Sequence, residues 1–168
     1  AYLRARVVMV TGAGGSIGAE LARQVAAQRP RCLILLDQAE TALYKIDREL
    51  RRLYPNLTLH PVIADIRDLP RLERVVARHG PEIIFHAAAY KHVPMMEANP
   101  EEVVLNNIAG SRNLLQVAER CDVQRFVLIS TDKAVEPTNF MGASKRVTEL
   151  LVQDAARRCH RAFVAVRF

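Results

Sequence analysis

The segment RVVMVTGAGGSIG, residues 6–18, combines a short apolar strand, a glycine-rich turn and the first residues of a helix. Gly12, Gly15 and Gly18 have the spacing G-x-x-G-x-x-G. Such a turn is too tight for side chains, and its backbone must come close to a pyrophosphate held at the helix N-terminus. In this strand–turn–helix setting the glycines predict a dinucleotide-binding site rather than an ordinary turn.

The rest of the chain continues the alternation of strands and helices. Apolar runs predict strands at residues 6–11, 32–37, 57–64, 82–89, 125–130 and 161–168. Helical periodicity predicts helices at 16–28, 40–54, 69–80, from an N-cap and capping box at 99–102 to about 121, and at 140–158. Pro61 places the third strand at a sheet edge. We therefore predict an α/β fold, a doubly wound parallel sheet (a Rossmann fold) with strand order 3-2-1-4-5-6.

Length and composition indicate one soluble globular domain covering residues 1–168. Hydrophobic residues make up 50% of the chain and charged residues 25%. No apolar run reaches the ~20 residues of a membrane helix, and the N-terminus has no signal-peptide pattern. The chain lacks a starting Met and stops within the apolar run RAFVAVRF, so we expect it to be a piece of a longer protein.

Charge and cysteine patterns exclude two classes of partner. The net charge is +6, but Lys and Arg are interspersed with acids, which indicates solvated helix faces and no nucleic-acid binding. Cys32, Cys121 and Cys159 have no metal-ligand spacing. We expect reduced packing thiols and no metal site.

Acidic residues follow the second and third strands. Asp37 lies 19 residues after Gly18, where a carboxylate accepts hydrogen bonds from the adenosine ribose and repels a 2′-phosphate. This favours NAD over NADP, although Asp37 could also cap the next helix. Asp65 and Ile66 are expected against the adenine ring, and Asp68 as a helix cap.

The segment HAAAYKHV, residues 86–93, follows the fourth strand. The small residues Ala87, Ala88 and Ala89 would let a cofactor lie close to the backbone. His86 is interpreted as a packed histidine at the strand end rather than a catalyst. Two methionines further along this loop, Met95 and Met96, are either core residues or part of a substrate pocket, and the position of the loop at the strand end favours the pocket wall.

The segment STDKAVEPTNFMGASK, residues 130–145, carries the catalytic signal. It is similar to the catalytic segment of short-chain dehydrogenases, with Met141 where those enzymes have a tyrosine four residues before the lysine. Together with TGAGGSIG, HAAAYKHVPMMEANP, NNIAGSRNLL and VRF, it resembles the extended short-chain dehydrogenase/reductases of polysaccharide biosynthesis. More narrowly, it resembles the CapD-like, membrane-anchored nucleotide-sugar 4,6-dehydratases.

This resemblance implies a reaction and a role for each residue. Bound NAD would be recycled while a UDP-N-acetylhexosamine, such as UDP-N-acetylglucosamine, loses water across C5–C6. Lys145 would hold the nicotinamide ribose, and Thr131 would bridge to the C4 hydroxyl. Asp132 would be the acid for the leaving C6 hydroxyl and Lys133 the base at C5, which requires burial or nearby positive charge to release its proton. Met141 cannot transfer protons.

The resemblance also implies further site residues and surroundings. Ser16, Ile17 and Lys91 would contact the cofactor, and Asn106 would support the active-site backbone. The family pattern has Asn where this chain has Glu136, and often Thr where it has Ser144. Membrane helices and a sugar-nucleotide-binding portion would flank the domain at the cytoplasmic face of a bacterial inner membrane.

Alternatives remain open at this point. A UDP-sugar C4 or C5 epimerase would use the same cofactor without an acid aimed at C6. A non-catalytic NAD-binding sensor domain would use the same fold without chemistry. The chain alone is expected to bind NAD and to turn over little substrate. A homo-oligomer is left open.

Overall fold

The computed structural model describes residues 2–168, which form a six-stranded parallel sheet. The strand order is β3-β2-β1-β4-β5-β6, which confirms the predicted doubly wound topology. The strands are β1 (Val7–Thr11), β2 (Cys32–Asp37), β3 (Thr58–Ile63), β4 (Ile83–His86), β5 (Arg125–Ile129) and β6 (Ala162–Val166).

Helices cover both faces of this sheet. They are α1 (Ser16–Ala27), α2 (Glu40–Leu53), α3 (Leu69–His79), α4 (Val93–Ala98), α5 (Pro100–Val103), α6 (Ser111–Arg120) and α7 (Phe140–Cys159). A π-helix at Val104–Gly110 joins α5 to α6, and a 3₁₀ turn at Asp132–Ala134 follows β5. Between residues 2 and 168, no helix is both long and apolar enough to cross a bilayer.

Alternation along β1 divides the interior into two cores. Val8 and Val10 pack on the side of α1 and α2, and Met9 packs on the side of α3, α6 and α7. Side chains of a strand point alternately to opposite faces, so a strand buried on both faces must be apolar throughout. Four of the five buried residues of β1 are apolar, and the hydroxyl of the fifth, Thr11, is hydrogen-bonded to His86, in keeping with the central place of β1 in the sheet.

The edge strand β3 is closed to further pairing. The strand order confirms the edge position that was predicted from Pro61, which has no N–H to donate to a neighbouring strand. Arg51 Nη2 donates to the carbonyl of Leu59 at 3.3 Å, and Arg71 Nη2 donates to the carbonyl of Ile63 at 3.5 Å. Proline and charged side chains on an edge strand discourage association with other strands.

The segment between β4 and α6 differs from the prediction. β4 ends at His86 rather than at residue 89, and α4 lies in the segment predicted as a loop. The predicted capping box is wrong, because Asn99 makes no side-chain cap and instead donates its amide to the Met95 carbonyl at 2.9 Å. The helix predicted after it is broken by the π-helix.

The helix α1 must lie almost in contact with the turn before it. A Cβ on Gly18 would stand 1.9 Å from the Gly12 carbonyl oxygen, a distance that no packing adjustment of a side chain can relieve. Gly80, by contrast, has a left-handed φ of +56° and open space around its Cα. Gly18 is therefore required by close packing, whereas Gly80 is favoured only by its backbone conformation.

We predict that Gly18→Ala destabilises the chain by about 3 kcal/mol or more, because the turn and helix must move apart. Gly80→Ala should cost about 1 kcal/mol, the price of the left-handed backbone alone. Urea unfolding followed by circular dichroism measures both. Equal losses in the two variants would contradict the close approach of α1 to the turn.

Candidate functional site

The glycine turn after β1 lies against the loop that follows β4. Gly12 has a φ of +69°, and a Cβ there would stand 2.6 Å from the Ala88 backbone nitrogen. Gly15 is the N-cap of α1, so the first N–H groups of that helix have no intrahelical partner. The turn, the loop and the helix N-terminus together form an anion-binding corner at the carboxyl ends of the strands.

Asp37 fixes this turn from the end of β2. Its Oδ2 accepts from the Gly14 N–H at 2.8 Å, and its Oδ1 accepts from the Ala39 N–H at 2.9 Å. The alternative role of Asp37 as a helix cap is wrong, since Ala39 is the N-cap of α2. A carboxylate has about four acceptor sites, so Asp37 retains capacity for ribose hydroxyls.

A cavity lies beside Asp37, between the glycine turn and the ends of β2 and β3. Ile66 is in its wall, and Asp65 is not. Arg67 Nη2 donates to Asp65 Oδ2 at 2.6 Å, and this guanidinium holds the pKa of the Asp65 carboxyl below its ordinary value. In this structure the Asp65 carboxylate, which is predicted to contact adenine, is therefore engaged by Arg67 instead. The lining is Gly12, Gly14, Gly15, Leu36, Asp37, Gln38, Ala39, Ala42, Ala64, Ile66, Ala87, Ala88, Ala89, Tyr90 and Asn106.

A second cavity continues from the first across Ala87, Ala89 and Tyr90, which line both. It reaches the ends of β5 and β6 and the first turns of α7. Ser16 stands at its border and accepts a hydrogen bond from Lys91 Nζ at 3.0 Å. The lining is Ile17, Ala87, Ala89, Tyr90, Lys91, Ile129, Ser130, Thr131, Lys133, Met141, Lys145 and Phe168.

The two cavities fit the two halves of a dinucleotide. The helix N-terminus at Gly15 lies where a pyrophosphate would join them, and at Gly12 any side chain would fill the cradle. Asp37 stands at one end and Lys145 at the other. Residues that the sequence singled out from six separate segments are thereby brought to one continuous surface.

Lys145 is a buried cation beneath the second cavity. Its Nζ donates to the carbonyl of Ile129 at 2.6 Å. Burial lowers the pKa of this ammonium to about 8, against a smaller upward influence of the Glu149 carboxylate. Lys145 is therefore still mostly protonated at neutral pH and can donate hydrogen bonds into the cavity.

Met141 lies one turn before Lys145 and is buried. It packs with Met96 and Val103 in a small apolar cluster while also lining the second cavity. The expectation that Met95 and Met96 line a pocket is wrong. Met96 is in this cluster behind the cavity, and Met95 is 62% exposed.

His86 is packed at the end of β4, as interpreted from the sequence. Its Nδ1 is 2.7 Å from the Thr11 hydroxyl and its Nε2 is 2.8 Å from the Ser111 hydroxyl. Complete burial, reinforced by the charge of Lys145, lowers its pKa to about 3. A histidine that stays neutral in this way supports the sheet end and is not a proton carrier near pH 7.

Lys133 lines the second cavity, whereas Asp132 is beside it and does not line the cavity, and both side chains are in an open environment. The Asp132 and Lys133 side chains are 76% and 52% exposed, and Lys133 Nζ is 3.4 Å from Asp132 Oδ1. The hydroxyl of Thr131 donates to Asp132 at 2.9 Å and, together with the Lys133 charge, lowers the pKa of the Asp132 carboxyl. The burial expected around Lys133 is absent, and the charged group nearest to its Nζ is the Asp132 carboxylate, while Lys91 and Lys145 line the same cavity. The roles of Asp132 and Lys133 as acid and base stay predictions.

Asn107 performs the backbone support that was predicted for Asn106. Its Oδ1 accepts from the Tyr90 N–H at 2.8 Å, and its Nδ2 donates to the Tyr90 carbonyl at 3.0 Å and to the Ser144 hydroxyl at 3.0 Å. Asn106 only donates its amide to Asn107, at 3.1 Å, and lines the first cavity. The π-helix, a distortion common at functional sites, carries both asparagines inward.

The parallel sheet, the glycine turn and the buried lysine of α7 define a dinucleotide-binding domain of the short-chain dehydrogenase/reductase class. The family model described as "Polysaccharide biosynthesis protein" matches residues 8–168. The chain belongs to this family of polysaccharide biosynthesis proteins, in agreement with the resemblance found in its sequence.

Several relatives cover nearly all of the chain. It is 44% identical over 167 residues to the probable polysaccharide biosynthesis protein EpsC of Bacillus subtilis (strain 168), covering 99% of this chain and 28% of EpsC. It is 46% identical to the capsular polysaccharide biosynthesis protein CapD of Staphylococcus aureus, covering 97% and 28%. A UDP-glucose 4-epimerase of Rickettsia canadensis is 36% identical, with 90% and 44% covered.

Solved structures repeat the fold. Pen from Bacillus thuringiensis superposes with a TM-score of 0.92 at 30% identity, covering 100% of this chain and 53% of Pen. The dTDP-glucose 4,6-dehydratase DesIV of Streptomyces venezuelae, a double mutant with NAD bound, has a TM-score of 0.82 at 27% identity, covering 95% and 54%. The chain thus spans about half of these proteins and 28% of EpsC and CapD.

We predict that Asn107→Ala lowers the free energy of unfolding by about 2 kcal/mol, because two backbone groups of Tyr90 lose their partner. Asn106→Ala is the matched control, since the neighbouring buried amide supports no backbone group. We expect it to cost less than half as much. Thermal unfolding measures both, and an equal or larger loss in Asn106→Ala would contradict the assignment.

Proposed function

We propose that the chain is the NAD-binding portion of a nucleotide-sugar 4,6-dehydratase that acts on UDP-N-acetylglucosamine in surface polysaccharide biosynthesis. One observation carries the proposal. A non-titrating residue, Met141, stands where a catalytic tyrosine would be. Thr131 and Lys133 line the same cavity as Lys145, and Asp132 lies between them in the chain and contacts both. In this proposal the groups that give and take protons lie in the turn after β5 rather than on α7.

The support from relatives is consistent with this assignment. EpsC and CapD are named for polysaccharide biosynthesis, and DesIV is a 4,6-dehydratase solved with NAD. The cofactor of this chain is proposed to be NAD rather than NADP, because the Asp37 carboxylate would repel a 2′-phosphate beside the first cavity. When bound, NAD would supply the acceptor for hydride from sugar C4 and the hydride that returns to C6.

The residues of the chain supply binding and proton transfer. The ammonium of Lys145 donates to the nicotinamide ribose and adds positive charge near the sugar C4 oxygen. The Thr131 hydroxyl lies within hydrogen-bond reach of Asp132 and links it to the C4 side of the substrate. Asp132 gives a proton to the leaving C6 hydroxyl, and Lys133 takes one from C5.

Both groups need a drier environment than the open cavity provides. Asp132 and Lys133 are solvent-exposed here, and desolvation raises the pKa of a carboxyl group and favours the neutral form of an amine. We propose that the substrate and the sugar-nucleotide-binding portion of the full protein cover these two side chains. The full protein is also proposed to act at the cytoplasmic face of the inner membrane, through membrane helices before this domain.

A second candidate is a UDP-sugar epimerase, favoured by the 36% identity to a UDP-glucose 4-epimerase. An epimerase returns hydride to C4 and releases no water. It would have no use for an acid aimed at C6, so the role of Asp132 distinguishes the two reactions.

We predict that the full-length protein converts UDP-N-acetylglucosamine to a UDP-2-acetamido-2,6-dideoxy-4-hexulose. Asp132→Asn should lower kcat by about 100-fold or more, because the C6 hydroxyl loses its proton donor. Glu136→Gln, an exposed acid of the same loop, is the control and should change kcat less than threefold. Product analysis by mass spectrometry and NMR measures the outcome.

Three other results would contradict the proposal or one part of it. UDP-N-acetylgalactosamine as the sole product would establish the epimerase instead. Tight NAD binding without conversion of any UDP-N-acetylhexosamine would favour a non-catalytic sensor. Unchanged turnover in Asp132→Asn would remove this residue from the mechanism.

A further inference from the structure

A buried carboxylate lies one turn after Lys145 and serves none of the functions described above. Glu149 is 2% exposed in its side chain. Its Oε1 accepts from the Ser130 hydroxyl at 2.6 Å and from Arg167 Nε at 2.8 Å. Its Oε2 accepts from Arg167 Nη2 at 2.6 Å and from Arg146 Nη1 at 3.3 Å. We call these four residues the Glu149 cluster.

The cluster joins three elements at the root of the proposed catalytic loop. Ser130 is the last residue before Thr131, and its backbone N–H donates to the Val166 carbonyl of β6 at 2.7 Å. The carbonyl of the preceding residue, Ile129, accepts from Lys145. Three hydrogen bonds therefore hold the strand end that precedes Thr131, Asp132 and Lys133. They are made by the Ile129 carbonyl, the Ser130 N–H and the Ser130 hydroxyl.

Arg167 is the main partner of this buried charge. It binds both carboxylate oxygens in the forked geometry that makes arginine–carboxylate pairs short and directional. Arg146 touches one oxygen at a longer distance. Removing Arg167 would leave the buried carboxylate with Ser130 and the longer contact to Arg146 at 3.3 Å. Lys145 lies one turn earlier on the same helix, so the charge of Glu149 would then act more strongly on it.

We propose that Arg167 is a positioning residue that holds Glu149 on Ser130 and keeps this carboxylate from pairing with the Lys145 ammonium. Lys145 then stays on the Ile129 carbonyl, facing the cavity. The residue thereby couples the end of β6 to the ionic state of the buried lysine.

The electrostatics agree with this geometry. Arg167 lowers the pKa of Glu149 to about 2, so the carboxylate is charged at every working pH. Glu149 raises the pKa of Lys145 against the effect of burial, and His86 on β4 stays neutral beside it. Across the cavity Lys145 is faced by Lys91 and Lys133. Without Arg167, Glu149 would keep only Ser130 and the longer contact to Arg146, and its less compensated charge would shift the Lys145 equilibrium towards the ammonium.

The test follows Lys145 directly. The chain contains only four lysines, at positions 45, 91, 133 and 145, so selective ¹³C-lysine labelling gives a simple NMR spectrum. Lys145→Met identifies the signal. We expect a titration midpoint near 8 for Lys145 in the unaltered chain and a rise of about one pH unit in Arg167→Ala.

Arg146→Ala is the matched control, because Arg146 and Arg167 have similar exposure, 42% and 40%, and touch the same carboxylate. We expect less than a third of the shift seen for Arg167→Ala. Arg167→Lys should restore most of the original midpoint by keeping a cation beside Glu149. Should Arg167→Ala not fold, Glu149→Gln gives an independent reading, in which the Lys145 midpoint falls.

The outcomes separate positioning from simple stabilisation. A lower melting temperature with an unchanged Lys145 midpoint in both Arg167→Ala and Glu149→Gln would overturn the proposal, as would equal shifts in the two arginine variants. The inference relies on the proposed function only in calling the loop catalytic. Because no substrate enters this measurement, failure of the dehydratase assay would leave its result intact.

Discussion

The close approach between the glycine turn and the loop after β4 is the constraint on which the rest of the site depends. Gly12 leaves no room for a side chain against Ala88, and Gly18 leaves none between α1 and the turn. Asp37 then fixes the turn by accepting two backbone N–H groups. Because these contacts bring three strand ends together, a single cleft runs from the end of β2 to the start of α7.

A second set of contacts orients α7, which carries Met141 and Lys145. Asn107 ties the loop at Tyr90 to Ser144, and the Ser144 hydroxyl donates to the Met141 carbonyl at 2.7 Å. The Glu149 cluster anchors the same helix further along. Asn107, Ser144 and the Ser130–Glu149 pair are buried polar side chains whose hydrogen bonds are satisfied by neighbours, so they restrict the helix to one position relative to β5.

The sheet was predictable from the sequence because its strands are short apolar runs separated by glycine, proline and polar turns. The central strands β1 and β2 are buried on both faces, whereas the edge strands β3 and β6 expose part of their side chains. Pro61 and Asp68 were predictable for the same reason, since each acts through local backbone chemistry. The segment after β4 was not predictable in this way. Its π-helix depends on tertiary contacts. It packs so closely on Ile66, in the segment after β3, that a Cβ on Gly110 would stand 2.6 Å from Ile66 Cγ1.

The site was predictable as a set of segments and less so as individual contacts. Adjacent asparagines in NNIAGS cannot be told apart until the π-helix sets which one reaches Tyr90. Asp65 has the right position along the chain, but Arg67, two residues later, engages its carboxylate. The exposure of Asp132 and Lys133 likewise follows from three-dimensional packing, because nothing in the loop sequence states what covers it.

The central claim is that this cleft binds NAD and discriminates against NADP through Asp37. Isothermal titration calorimetry of the 168-residue chain with each dinucleotide tests it most directly. The account predicts saturable binding of NAD and an NADP affinity at least about tenfold weaker, the effect of roughly 1.4 kcal/mol of repulsion. Equal or tighter binding of NADP, or no binding of either dinucleotide, would contradict it.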